Sequence, residues 1–151
     1  GIVHCDVKAE NLVLLGPRAP QQLVLLDFGY AAPWSEARPL SGLTGTLQYA
    51  APEVLSWHGG ARGVAYGPPA DLWSLGVLLY VMLSAMLPFH ADDEAEVVRL
   101  VRAAEYAFLP KQSWRRVSAR AIELISRLLR VGPDQRCTLA ELRAHPWLAE
   151  P

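Results

Sequence analysis

From Leu72 to Phe89 the chain carries no charged side chain across LWSLGVLLYVMLSAMLPF, and this run limits the possible folds more than any other feature. Its length approaches the roughly 20 residues that cross a bilayer. Two structures satisfy such a run: a membrane span, or a helix at the centre of a soluble domain whose neighbours cover every face. Ser74, Gly76 and Ser84 interrupt it, Pro88 falls near its end, Asp71 immediately precedes it, and no Lys or Arg flanks it to anchor an orientation. These features predict a soluble helix, buried on all sides. The 151 residues, 52% of them hydrophobic, suffice for one sizeable core and are too few for two ordinary domains.

The charge balance is even, with 14 Lys+Arg against 15 Asp+Glu and a formal net charge of -1. A protein that lives on nucleic acid or an anionic membrane would show a basic excess, so neither partner is expected. The two cysteines, Cys5 and Cys137, exclude a disulfide framework or a four-cysteine zinc site and favour a reducing compartment, cytoplasmic or nuclear. The chain opens on Gly1 without a basic and apolar leader, which reads as a piece of a longer protein and not as a secreted one.

Two aliphatic runs, Leu12 to Leu15 and Leu23 to Leu26, flank Gly16-Pro17 and Pro20 and predict a small hairpin. From Asp27 to about Tyr66 periodicity is lost among Gly, Pro, Ser and Thr, the composition of a long functional loop. Beyond the apolar run, Asp92, Asp93 and Glu94 precede Val97, Val98, Leu100 and Val101, with Arg99 and Arg102 later, as the helix dipole prefers in a surface helix. Ala121, Ile122, Leu124, Ile125, Leu128 and Leu129 recur at helical spacing. Thr138-x-x-Glu141 is a capping box for a final helix that Pro146 is expected to help end.

Residues able to carry chemistry gather at the hairpin. His4-Cys5-Asp6-Val7-Lys8-Ala9-Glu10-Asn11 precedes its first strand and Asp27-Phe28-Gly29 follows its second. A hairpin brings its ends together, so Asp6, Lys8, Asn11 and Asp27 should meet. Asp27 and Asn11 offer hard oxygen ligands suited to magnesium, Lys8 a point charge for a phosphoryl group, and Asp6 a carboxylate free to accept a proton. Taken singly, each is more readily read as an ordinary turn residue.

Taken together, His4-x-Asp6-x-Lys8-x-x-Asn11, Asp27-Phe28-Gly29 and Ala51-Pro52-Glu53, in that order, resemble the catalytic loop, metal-binding loop and activation-segment end of the eukaryotic protein kinases. Gly45-Thr46-x-x-Tyr49, Asp71-x-Trp73-Ser74-x-Gly76, Leu87-Pro88-Phe89, Arg136 and His145-Pro146-Trp147-Leu148 continue the resemblance, which spans essentially the whole chain. It implies a mainly α fold: a helical C-terminal lobe with a small β-hairpin at the cleft, residues 1–151 forming a partial kinase domain. It implies ATP and Mg2+ as cofactors and a protein substrate, with Asp6 as proton acceptor, Lys8 stabilising transferred charge, Asn11 and Asp27 holding metal, and Lys8, Glu10, Asn11 and Asp27 around the nucleotide. Thr46 and Tyr49 would belong to the substrate-facing activation segment. Glu53 and Arg136 would form a buried structural ion pair, and Asp71 would accept hydrogen bonds from the catalytic-loop backbone. Lys8 and Thr46 are similar to the serine/threonine type, and the later landmarks look most like the calcium/calmodulin-dependent group. Trp73 and Trp147 are expected in the core, and His4 and His145 packed and hydrogen-bonded.

The sequence departs from that pattern in three places. Cys5 stands where most kinases have an arginine that pairs with an activation-segment phosphate, which puts switching at Ser41 or Thr44 in doubt. His58-Gly59-Gly60-Ala61-Arg62-Gly63 lengthens the stretch after Glu53 and reads as a surface insertion. No Gly-x-Gly-x-x-Gly occurs, and Lys8 and Lys111 are the only lysines, so the glycine-rich loop and its lysine would belong to an N-terminal lobe outside this chain. Two readings remain: a serine/threonine kinase completed by that lobe, or a pseudokinase or truncated lobe that scaffolds a partner through residues around 90 to 120.

Overall fold

The computed structural model describes residues 1–16, 22–60 and 62–149. The front of the molecule is two small antiparallel sheets. β1 (Ile2–Val3) pairs with β4 (Ala32–Pro33), placing Val3 opposite Ala32. β2 (Leu12–Leu15) pairs with β3 (Gln22–Leu25) in the register Leu12 opposite Leu25 and Leu15 opposite Gln22. The expected hairpin therefore forms, with Leu26 just beyond its second strand; Pro17 and Pro20, assigned to its turn, lie outside the described residues.

The stretch from Asp27 to Tyr66 contains more structure than its composition suggested. It includes a 3-10 turn at Leu47–Tyr49, the short helix α1 (Pro52–Leu55) and another turn at His58–Gly60. The insertion that carries this last turn is tied down on its return side: the Trp57 indole donates to the Val64 carbonyl at 2.8 Å, and the Val64 N–H donates to Ser56 Oγ at 3.0 Å. Ala61 within it lies outside the described residues.

The back is helical. α2 (Pro69–Ser84) is central, flanked by α3 (Glu94–Ala103), α4 (Lys111–Trp114), α5 (Ala119–Leu128), α6 (Leu139–Arg143) and α7 (Pro146–Ala149). α2 packs on α5 and α4, and α1 on α3. Gly76 allows the α2–α5 contact, because a Cβ there would lie 2.8 Å from Leu128 Cβ. Trp73 stacks on Phe89 with ring centroids 5.5 Å apart, and Tyr80, Tyr106, Phe108 and Trp114 form an aromatic cluster beside them. Asp93 and Ser118 cap α3 and α5, and the capping box at Thr138 opens α6 as expected.

Three expectations are corrected. The apolar helix begins at Pro69 and stops at Ser84, where Ala85 adopts a left-handed conformation (φ 59) and ends it before Leu87-Pro88-Phe89. It is not buried on all sides: Met82 is 70% exposed, and Leu75, Leu78 and Met82 face Leu12, Leu14, Leu23 and Leu25 across an open apolar cavity of about 540 Å³. Pro146 opens α7 instead of ending α6, because a residue without an N–H suits the first turn of a helix. No helix among the described residues is long and apolar enough to cross a membrane.

Candidate active site

The segment after β1 is fixed from behind by α2. Asp71, in the first turn of that helix, accepts the His4 N–H on Oδ2 at 2.8 Å and the Cys5 N–H on Oδ1 at 2.9 Å. These bonds hold Cys5 at φ 65, a conformation that non-glycine residues enter at a cost and keep only when the surroundings impose it. His4 is packed and bonded as expected: its Nε2–H donates to the Leu26 carbonyl at 3.1 Å, its Nδ1 accepts the Asp6 N–H at 3.3 Å, and its ring meets Phe28 edge-on.

This backbone path turns Asp6 inward. The carboxylate is buried and almost fully engaged. Oδ2 lies 2.9 Å from Lys8 Nζ and accepts from Asn11 Nδ2 at 3.1 Å, while Oδ1 accepts from Thr46 Oγ1 at 2.7 Å. Lys8 also donates to Thr46 Oγ1 at 2.7 Å. Burial pushes the Asp6 pKa up, but the hydrogen bonds from Lys8, Thr46 and Asn11 outweigh it and hold the group below the ordinary carboxylate value. The hydrogen bond to Asp6 in turn raises Lys8 against the opposing effect of burial, with smaller help from Glu10 and Asp27. The site is thus an ionised carboxylate beside a protonated amine.

Thr46 reaches Asp6 because Gly45 lets two loops touch. Gly45 sits at φ 77, and a Cβ there would overlap the Cys5 carbonyl oxygen; both the conformation and the close approach require glycine. Tyr49 anchors the far side of this loop: it is buried, and its carbonyl accepts from Ser74 Oγ at 2.8 Å. Beside Thr46, an open cavity of about 510 Å³ is bounded by Glu10, Gln48, Tyr49, Met86 and Leu87. The structure places Glu10 on this cavity's wall.

The hairpin delivers Asn11 and Asp27 as the sequence suggested. The Asn11 carbonyl accepts the Leu26 N–H at 2.8 Å, extending the ladder so that Asp27 follows directly. Asn11 Nδ2 donates to the Asp6 carbonyl at 2.8 Å as well as to its carboxylate, which leaves Oδ1 as the free end of the amide. Asp27 is exposed at φ 58, and its Oδ1 accepts the Gly29 N–H at 3.1 Å. Among the described residues no group of three or more His, Cys, Asp or Glu could hold a metal alone. One carboxylate and one amide oxygen fit magnesium, which keeps few protein ligands and takes the rest from water and phosphate.

The structural pair is also in place. Arg136 NH1 and NH2 meet Glu53 Oε1 and Oε2 at 2.8 and 3.1 Å, with 0% and 4% of the two side chains exposed. Arg136 further donates to the carbonyls of Pro69, Arg130 and Val131 and lies over the Trp73 ring. Burial, followed by the Asp71 carboxylate, pushes the Cys5 thiol up to about 11 against a bond with Thr44. Sequence reasoning did not single out Tyr66, whose hydroxyl meets Thr44 Oγ1 at 3.0 Å. Only its place at the end of the unpatterned stretch could have drawn notice.

The sequence is similar to those of known proteins. Residues 1–148 match the family model described as protein kinase domain. The chain is 35% identical, over its whole length, to calcium/calmodulin-dependent protein kinase cmkB of Emericella nidulans, covering 36% of that protein. It is 36% identical over 99% of its length to calcium-dependent protein kinase 15 of Oryza sativa subsp. japonica, covering 26% of it. It is 39% identical over 97% of its length to "Probable serine/threonine-protein kinase fhkE" of Dictyostelium discoideum, covering 20% of it. The chain therefore spans about a third or less of the relatives it matches. The chain, with a buried carboxylate braced by lysine, threonine and asparagine on a helical lobe with this landmark order, belongs to the protein kinase domain family and is similar to members of its calcium/calmodulin-dependent group.

Proposed function

We propose that this chain is the catalytic half of an ATP- and magnesium-dependent kinase that phosphorylates serine or threonine hydroxyls of proteins. The observation that carries the reading is the Asp6 carboxylate, held ionised within hydrogen-bond reach of Lys8 and of the Thr46 hydroxyl at the edge of an open cavity. Magnesium-ATP supplies the phosphoryl group when bound. Asp6 orients the acceptor hydroxyl and takes its proton at a carboxylate oxygen, and Lys8 offsets the negative charge beside it. Asn11 Oδ1 and the Asp27 carboxylate are the groups that would hold magnesium. Thr46 bridges Asp6 and Lys8, and its hydroxyl is chemically equivalent to the acceptor that would join them. An N-terminal lobe outside this chain would close over the nucleotide. The cavity walled by Glu10, Gln48 and Met86 would receive the substrate segment around the acceptor.

The test is transfer of labelled γ-phosphate from magnesium-ATP to a randomised serine/threonine peptide library by the full-length protein that carries this chain. Label that requires magnesium and disappears in the Asp6→Asn form supports the reading. Absence of transfer by the parent protein under these conditions contradicts it and leaves a binding role for the lobe.

A further inference from the structure

Tyr66 and Gly67, immediately before α2, receive the loop that carries Thr44 to Thr46 at three points. The Tyr66 N–H donates to the Leu40 carbonyl and its carbonyl accepts the Leu40 N–H, both at 2.9 Å. The Tyr66 hydroxyl pairs with Thr44 Oγ1 at 3.0 Å. Gly67 lies under the Trp34 indole, where a Cβ would come within 2.7 Å of Cε2. The loop is thus pinned at Trp34, Leu40 and Thr44 onto two adjacent residues. Two positions past Thr44, with Gly45 pressed on the Cys5 carbonyl between them, the Thr46 hydroxyl meets Asp6 at 2.7 Å.

Such a short span transmits position. Gly45 cannot shift toward the catalytic loop without collision, so the rotation that presents Thr46 depends on what holds Thr44. That hold is a pair of neutral hydroxyls in a closed place: Tyr66 is buried, and the cavity among Cys5, Thr44, Ala51, Tyr66 and Asp71 has only about 10 Å³ of free volume. A phosphate on Thr44 would not fit there. Cys5, which lines the same corner, brings no positive charge to it.

We infer, on the kinase reading above, that Tyr66 is a positioning residue for phosphoryl transfer: its hydroxyl and its paired backbone bonds to Leu40 seat Thr44, and Thr44 sets the span that presents the Thr46 hydroxyl to Asp6. The seat is built into the fold and needs no modification of Thr44.

The experiment compares the parent full-length protein with Tyr66→Phe, Thr44→Val, Thr44→Ser and the double variant Tyr66→Phe/Thr44→Val. It reads steady-state kinetics and amide hydrogen exchange without nucleotide. Losing one neutral hydrogen bond should lower kcat by about threefold to tenfold in Tyr66→Phe and Thr44→Val. The KM for ATP should not move, and exchange should rise at Gly45 to Leu47 alone. Thr44→Ser keeps the hydroxyl and should keep the parent rate. The double variant should be no slower than either single one, because both remove the same contact. Parent kcat and parent exchange in Tyr66→Phe would overturn the inference. So would an even rise of exchange across α2 and α5, which would mark a general packing role. A parent protein without transferase activity would defeat the kinase reading and the catalytic half of this inference. The exchange data on the same sample would still decide whether Tyr66 seats Thr46.

Discussion

Asp6 and Glu53 are both buried carboxylates facing a cation, yet they are built for opposite purposes. Glu53 meets Arg136 through two parallel bonds in a setting closed to water, and the remaining guanidinium bonds go to main-chain carbonyls. Nothing in that arrangement can be exchanged without leaving a buried charge unpaired. Asp6 is held by Lys8, whose side chain is 21% exposed, and by a hydroxyl lent from another loop. Thr46 Oγ1 is a hydroxyl like that of an incoming acceptor, and Lys8 reaches solvent beside it. Burial alone therefore does not mark a catalytic base; partners within reach of an open edge do.

The largest expected effect breaks the Asp6 side of this comparison. In the full-length protein, Asp6→Asn should lower kcat by about 10²–10⁴, the usual worth of a positioned base. Its acid stability should change in a defined way. The folded pKa of Asp6 lies below the ordinary value, so its contribution is fully present above that ordinary value and is lost as pH falls through the lowered one. Asp6→Asn should remove that acid limb from a stability profile. A parent-like rate in the amide variant would sink the assigned role.

The Glu53 side should answer with stability instead of rate. Removing one partner of a buried pair costs about 3–5 kcal/mol. Arg136→Met should be worse than Glu53→Gln, since it also strips donors from the carbonyls of Pro69, Arg130 and Val131. The double variant Glu53→Leu/Arg136→Met should cost less than the sum of the two single losses, measured by denaturant unfolding. Strict additivity would mean that the two groups do not interact.

What could be foreseen follows from where the causes lie in the chain. The placing of Asn11 and Asp27 at the two ends of one hairpin was legible because a hairpin is a local device and its strands are marked by Leu12 to Leu15 and Leu23 to Leu26. The capping box at Thr138 was legible for the same reason. The end of α2 was not, since Ala85 enters a left-handed conformation with no glycine to announce it. Its exposed edge at Met82 was not either, because an uncharged run looks alike whether its neighbours touch it or stand off. The pairing of Tyr66 with Thr44 joins residues 22 apart through a loop without periodicity, and residue type alone singles out neither. The resemblance located Asp6, Lys8 and Thr46, while only coordinates show that Gly45 is the reason Thr46 arrives.

Cys5 sharpens the comparison from the thiol side, since it lies next to Asp6, is half-buried, and faces the Asp71 carboxylate instead of a cation. Its pKa is pushed from an ordinary 9.0 to about 11, so at neutral pH the thiolate fraction is about a hundredfold below that of an ordinary cysteine. Alkylation of Cys5 by iodoacetamide, followed by peptide mass spectrometry, should be markedly slower than that of a small free thiol. Reaction at the free-thiol rate would show that the corner beside Asp6 opens readily to water.

The smallest effect belongs to a third ion pair, which separates short distance from strong interaction. Arg99 lies 2.8 Å from Glu96 and 2.7 Å from Glu105, closer than Arg136 NH2 lies to Glu53. The hydrogen bonds that Arg99 donates to Glu96 and Glu105 lower both glutamate pKa values and raise its own. All three side chains stand in solvent, where water screens the charges and ordering two long side chains offsets much of the gain. Arg99→Gln should leave the denaturant midpoint unchanged within error at physiological salt, with at most a slight loss that added salt removes. A loss of the size expected for Arg136→Met would show that geometry outweighs burial, and the distinction drawn between Asp6 and Glu53 would then have to rest on something other than access to water.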